Sequence, residues 1–420
     1  MNAWTHFWQQ SATVPQLVAL QWALLLAAAC AGGYLLQRAS GLPKVVGYTL
    51  VGTLAGLAGF GAPLWPLHGM AAFVIELGVA LVLFECAGRI PLRWFRHNPM
   101  VLAQSLAESL LSFAAVYLTM RWLALPAQVA SALALVAVAA SPTVLTRVVA
   151  DTRASGPVTE RTIVLSTLSA LYALALGSAQ AGMALHSSAG WLAGLGAVLM
   201  VLGASVVVGA ALALLLRAAL RFMSPTSEST ALLLLLLLTA ATALAPALGG
   251  SAPLAALLGG MLLKQIHPRP WAWPRQMGTA ASLVTLLMFV LVATVAAQVD
   301  WSALVAGAVL ALLVARLAGK ALGVGLANVG SGASWRQALW TAGALAPMSA
   351  VALLVTAQRY AGATPAHGAQ IAAVALPAIL LMEVLGAIAA AVAIYKVGES
   401  AKPWAAPAPT DGANVPGEQP

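Results

Sequence analysis

Ala140-Ser141-Pro142-Thr143 lies inside an apolar run over 125–149, and Ala346-Pro347-Met348-Ser349 lies inside another over 336–358. In each, a proline with hydroxyl neighbours interrupts a stretch long enough to be a membrane helix. Proline removes one backbone hydrogen bond and clashes with the preceding turn, so unpaired amides and carbonyls are expected at membrane depth. Such groups are tolerated only against protein or a wet cavity. Either break alone reads as an ordinary proline kink healed by nearby hydroxyls; the pair says more, once its place in the chain is known.

Composition sets that frame. The chain is 61% hydrophobic and 7% charged, with a mean hydropathy of +0.93, far from the roughly one-quarter charged residues of a soluble domain. Runs of about twenty apolar residues, enough to cross a bilayer, fall near 14–36, 44–60, 70–88, 98–120, 125–149, 158–180, 188–220, 229–247, 250–266, 277–298, 301–324, 336–358 and 368–395. These thirteen spans predict an all-α membrane protein. The two breaks are then in spans 5 and 12, whose odd offset makes them cross in opposite directions. That is the arithmetic of inverted repeats: spans 2–6 pair with spans 9–13, span 1 is extra, and spans 7 and 8 connect. Discontinuous helices in corresponding positions of two halves point to the substrate site of a secondary transporter.

Charge gives the orientation. Of the twenty Lys and Arg residues, sixteen fall on one side, in alternate loops and the C-terminus: Arg38, Lys44, Arg89, Arg93, Arg96, Arg147, Arg153, Arg161, Arg217, Arg221, Lys264, Arg269, Arg275, Arg336, Lys396 and Lys402. Arg121 and Arg359 are alone on the other side. The positive-inside bias places the N-terminus outside and the C-terminus in the cytoplasm, in a bacterial-type inner membrane. The net charge of +9 comes from cations scattered on short loops, so it sets topology and does not indicate nucleic acid. Trp4, Trp65, Trp122, Trp191, Trp271, Trp301 and Trp335 stand at span ends as an interfacial belt. Cys30 and Cys86 lie inside apolar spans, and no two histidines have metal-ligand spacing; no metal or cofactor is expected. Residues 1–13 form a short external segment that is not a cleaved signal, and 397–420, rich in Pro, Ala and Gly, reads as a disordered cytoplasmic tail.

Ionisable residues inside spans each cost about 2.5–3.5 kcal/mol at a helix centre and so call for a partner or a role. Glu76 and Glu85, also candidate proton carriers, face opposite sides of span 3, and Arg89 follows Glu85 by one turn as a local partner. Glu108 in span 4 and Glu383 in span 13 are near mid-bilayer with no cation within a turn. Each is a candidate proton carrier or the partner of a cation elsewhere, and the residues leave the choice open. Arg316 and Lys320 are four apart on one face of span 11 and would repel unless an anion, a carboxylate or helix carbonyls lay between them. Snorkelling to the headgroups is the bland alternative.

These residues carry a resemblance. Gly41-Leu-Pro-Lys-Val-Val-Gly-Tyr48 with Gly52 and Gly56, Glu76-Leu-Gly-Val-Ala-Leu-Val-Leu-Phe84, Ser141-Pro-Thr-Val-Leu-Thr-Arg147, Arg316-Leu-Ala-Gly-Lys320, and Ala346-Pro-Met-Ser349 together resemble the monovalent cation:proton antiporter-2 family over about residues 14–395. The resemblance implies two crossed discontinuous helices, a core around 125–180 and 301–396, elevator-like alternating access, a homodimer, and monovalent cations and protons as the transported species; no catalytic residue is implied. It places Lys320 near the ion site, with unwound backbone at Ser141, Pro142 and Thr143 and at Pro347 and Ser349.

One departure stands out. The helix after the first break carries an acid or amide–acid pair in that family, and here the register falls on Ser169-Ala170, with no carboxylate between Arg161 and Ser224. Exchange of a hard cation for a proton needs one group that can hold either, and serine does not titrate. Three repairs are open: Glu108 or Glu383 supplies the charge from another helix, Lys320 carries the proton, or the site has turned to other work. In the last case Arg316, Lys320 and positive half-helix ends would favour an organic anion, or the protein would be a transport-inactive scaffold or sensor.

Overall fold

The computed structural model describes residues 15–60, 65–90, 95, 98–184, 190–224, 227–267, 275–299 and 301–401. Residues 1–14 and 402–420, and with them the expected external segment and most of the expected tail, lie outside the described residues, as do Arg93, Arg96, Arg269 and Lys402.

Fifteen helices and no strand are formed by the described residues. In chain order they are α1 Pro15–Ser40, α2 Lys44–Leu57, α3 Gly69–Gly88, α4 Pro99–Trp122, α5 Ala127–Val138, α6 Pro142–Thr152, α7 Pro157–Ala184, α8 Gly190–Ala219, α9 Glu228–Ala247, α10 Ala252–Ile266, α11 Arg275–Ala297, α12 Ala303–Leu326, α13 Trp335–Ala344, α14 Ala350–Ala361 and α15 Pro365–Val397. Among the described residues nine stretches are long and apolar enough to cross a membrane, one of them the interrupted run Ala127–Thr152, and three further apolar helices are shorter. Their starts follow local chemistry. Proline occupies the first turn of α4, α6 and α15, where its missing N–H would have no partner anyway. Ser302 caps α12 by accepting from Val305 N, and Ser334 with Gln337 forms a capping box at α13.

The packing has the symmetry that the span arithmetic predicts. Exchanging the two repeats turns the contact of α2 with α11 into that of α10 with α3, and both are among the most extensive in the molecule. Both rest on small residues. A Cβ on Gly52 or Gly56 of α2 would meet the α11 backbone at Val290 O (2.7 Å) and Thr294 O (2.5 Å), and one on Gly260 of α10 would meet Phe84 O of α3 at 2.5 Å. Between membrane helices such close backbone approach is what small residues provide.

The two expected breaks are real. The first separates α5 from α6 at Ala139–Ser141, the second separates α13 from α14 at Leu345–Ser349, and Ser141 N donates to Pro347 O across 3.1 Å, so the interruptions touch. Glu399 falls within the 397–420 stretch expected to be a tail. Glu399 is docked on the start of α7, its carboxylate accepting from Val158 N at 2.8 Å and Thr159 N at 2.7 Å. Arg147 is likewise no loop residue: it lies within α6, half-buried, and donates to Ser282 Oγ (3.0 Å) and Tyr48 Oη (3.3 Å).

Candidate functional site: charges at the crossing of two broken helices

The crossing is built by α12. Gly319 and Gly323, one turn apart, let its backbone settle on α4, so that a Cβ at Gly323 would sit 2.3 Å from Glu108 Cα and one at Gly319 2.6 Å from Ser112 Cα. That contact, the most extensive between any two helices, brings Glu108 under Lys320. The Lys320 ammonium donates to Glu108 Oε2 at 2.6 Å and to Val138 O at 3.1 Å, and both side chains are 0% exposed. The other carboxylate oxygen of Glu108 accepts from Ser109 Oγ at 3.1 Å.

One turn earlier, the Arg316 guanidinium is also fully buried and donates only to main-chain carbonyls. Nε reaches Ala137 O (2.9 Å), Nη1 reaches Ala346 O (2.6 Å), and Nη2 is shared among Ala139 O (3.1 Å), Leu345 O (3.3 Å) and Pro347 O (3.3 Å). The last carbonyls of a helix have no partner within it and carry its partial negative charge. Here α5 and α13 both end at the crossing, and the planar five-donor fork of arginine satisfies both ends at once. Neither cation snorkels, because each has its counter-charge inside: a carboxylate for Lys320, helix carbonyls for Arg316. The surplus of positive charge that would favour an anion is therefore compensated.

The hydroxyl residues divide. Ser141 Oγ and Thr143 Oγ1 are 2.7 Å apart, and Ser141 Oγ also accepts from Val144 N, capping α6. On α7, Ser169 Oγ accepts from Ala140 N (3.3 Å) and donates to Ser166 O (3.1 Å), while Ala170 is buried in the apolar core. At the second break Ser349 instead donates its hydroxyl to Glu383 Oε1. Glu383 thus shares the crossing without joining the Lys320 pair. Pro142 and Pro347 sit buried at the breaks. Glu85 pairs with Arg89 at 2.5 Å as the spacing predicts, and Glu76 is half-buried on α3 with no ion pair among the described residues.

A cavity of about 330 Å³ leads toward the first break. Glu85, Arg89, Thr143, Arg147 and Ser282 are among its walls. From there the Thr143–Ser141 hydroxyl pair and the Ser141 N to Pro347 O bond continue to the carbonyl held by Arg316. Sequence reasoning missed Thr49, Ser109 and the carbonyls of Ala137, Val138 and Ala139. The Gly319-x-x-x-Gly323 spacing signals a closely packed helix against the face of Lys320 without saying which one; nothing in the sequence marks Thr49.

A profile of the sodium/hydrogen exchanger transmembrane domain matches residues 24–395. The chain belongs to the sodium/hydrogen exchanger family. In fold it is similar to the sodium proton antiporter MjNhaP1 from Methanocaldococcus jannaschii at pH 8, with a TM-score of 0.70 at 17% identity over 91% of this chain and 98% of that one. A second structure of MjNhaP1, from an electron-microscopy map, aligns with a TM-score of 0.69 at 17% identity over 93% and 99% of the two chains. No curated relative matches in sequence. Within this exchanger fold, the crossing carries a carboxylate on α4 and a hydroxyl, Ser169, on α7.

Proposed function

We propose that this exchanger-family protein carries a monovalent cation, Na⁺ or K⁺, against a proton by alternating access, as a homodimer in a bacterial inner membrane with its C-terminus in the cytoplasm. The observation that carries the reading is the Lys320–Glu108 pair at 2.6 Å and zero exposure, one hydrogen bond from the end of α5. A buried ammonium–carboxylate pair is a proton store with a built-in competitor. A hard cation reaching the Glu108 oxygens displaces the ammonium, and the neutral amine that results has given its proton to water. The site holds the same net charge before and after, so one cation exchanges for one proton at this pair. Glu108 thereby does from α4 what the acid missing at Ser169 would do from α7. The cavity lined by Thr143 is the access route, and Thr143 and the carbonyls of the breaks replace water around the ion.

Purified protein in liposomes with a trapped pH dye tests this. Na⁺ or K⁺ added outside should drive proton movement in the wild type and not in Glu108→Gln. A wild type that moves no protons with either cation, or that instead takes up a labelled organic acid, overturns the reading.

A further inference from the structure

Glu383 is, among the described residues, the one fully buried carboxyl that the exchange just described does not use. It is 0% exposed on α15. Gly386, one turn on, packs so closely on the second break that a Cβ there would lie 2.5 Å from Pro347 Cα. This approach delivers the Ser349 hydroxyl to Glu383 Oε1. The other oxygen, Oε2, has no hydrogen-bond partner, and neither has the buried hydroxyl of Thr49 on α2, which lies beside the same carboxyl. A buried carboxylate oxygen with no hydrogen bond of ordinary length is costly.

Among the described residues no cation of the protein pairs with Glu383. Arg316 and Lys320 of α12 are engaged with carbonyls and Glu108. Arg147 of α6 is held by Ser282 and Tyr48, and Asp151 of α6 accepts from Lys44 N. Tyr172 of α7 is bonded to Ser105, and Arg336 of α13 to Lys396 O. Arg359 and Tyr360 are at the far end of α14, and α5 has no titratable residue. Among the described side chains only Ser349 and Thr49 act on the Glu383 carboxyl.

We infer that Glu383, Ser349 and Thr49 form a second ion site, taking one monovalent cation in its carboxylate form or one proton in its acid form. The donor set is oxygen only, one charged and two neutral, which suits a hard cation, and the same carboxyl is the group a proton would occupy instead. The ligands come from α2 on one side and from the second break and α15 on the other, so occupancy ties the second broken helix to its neighbour. The inference rests on the transport reading only for its use; binding stands or falls alone.

Thermal unfolding of the full-length protein in detergent, titrated with NaCl, KCl or LiCl against choline chloride at several pH values, tests it. In the wild type and in the double variant Glu108→Gln, Lys320→Met, which lacks the first exchange pair, one of the alkali cations should raise the midpoint and choline should not, with an apparent affinity that weakens as pH falls. The substitutions that follow are read in that double variant. Glu383→Gln should weaken it tenfold or more, Thr49→Val and Ser349→Ala by lesser factors, and Glu383→Asp should keep part of it. The conservative pair Thr49→Val and Ser349→Ala decides the matter if Glu383→Gln fails to fold. Absence of any alkali-cation effect in the wild type, or an unchanged titration in Glu383→Gln or in both hydroxyl variants, overturns the site. Binding of this pattern without cation-driven proton flux overturns the transport reading alone, and flux with unchanged Glu383→Gln binding overturns the site alone.

Discussion

The two broken helices share a signature, a proline with a serine close by, and use the serine in opposite senses. At the first break Ser141 accepts, taking the Val144 amide and so capping α6 within its own chain segment. At the second, Ser349 donates to Glu383 and makes no side-chain cap for α14. The first break is closed on itself; the second is open to a carboxyl. Charge is distributed to match, since Lys320 and its Glu108 partner sit at the end of α5, while α13 has only its share of Arg316. An inverted repeat thus supplies two equivalent scaffolds, and single side chains on α4 and α15 make them unequal.

Arg316 is what the two breaks have in common, so removing it should hurt most. Arg316→Ala takes the guanidinium donor from four carbonyls and leaves Pro347 O with Ser141 N alone, and at about 1–3 kcal/mol for each unsatisfied buried group the loss is on the order of 5 kcal/mol or more. The expected result is a collapse of folded yield and of the thermal midpoint in detergent. Arg316→Lys keeps the charge without the fork and should recover only part of it. Full stability in Arg316→Ala would show that the breaks hold each other through Ser141 N and Pro347 O without help.

The next effect separates the breaks. Lys320→Ala strands the Glu108 carboxylate and should cost about 3–5 kcal/mol, as should Glu108→Gln by stranding the ammonium. The double variant Glu108→Gln, Lys320→Met removes both charges and should regain most of that stability, because a buried pair is seldom worth more than a well-packed neutral replacement. Cation-driven proton flux should stay absent in all three. Additive destabilisation in the double variant, measured by thermal unfolding, would mean that the two residues do not act as a pair.

Much of this was legible in the sequence. Composition and span length gave the membrane class, the Ser141-Pro142 and Pro347-Ser349 segments gave the breaks and their opposed directions, and the repulsion expected of Arg316 and Lys320 required the carboxylate and carbonyls that the structure supplies. What stayed hidden was long-range. Glu108 and Glu383 are equivalent by hydropathy and depth, and only the approach of α4 to Gly319 and Gly323 selects Glu108 for Lys320. The Glu399 contact with α7 joins residues some 240 positions apart, which no periodicity encodes. Thr49 is a small polar residue on an apolar helix, and its neighbour comes from the other end of the chain.

The smallest effect is also the sharpest on the difference between the breaks. Ser141→Ala removes a helix cap, worth about 1 kcal/mol, along with the hydroxyl pair with Thr143. Ser349→Ala removes no cap, only the donor to Glu383. If the serines are used as the geometry says, Ser141→Ala lowers the thermal midpoint equally in choline and alkali-cation media. Ser349→Ala should leave the choline midpoint close to wild type and change the cation-dependent part. The reverse pattern would mean that Ser349 is structural and Ser141 faces the ion. In that case the asymmetry between the breaks runs opposite to the one that Glu383 imposes, and the second ion site loses one of its two neutral oxygens.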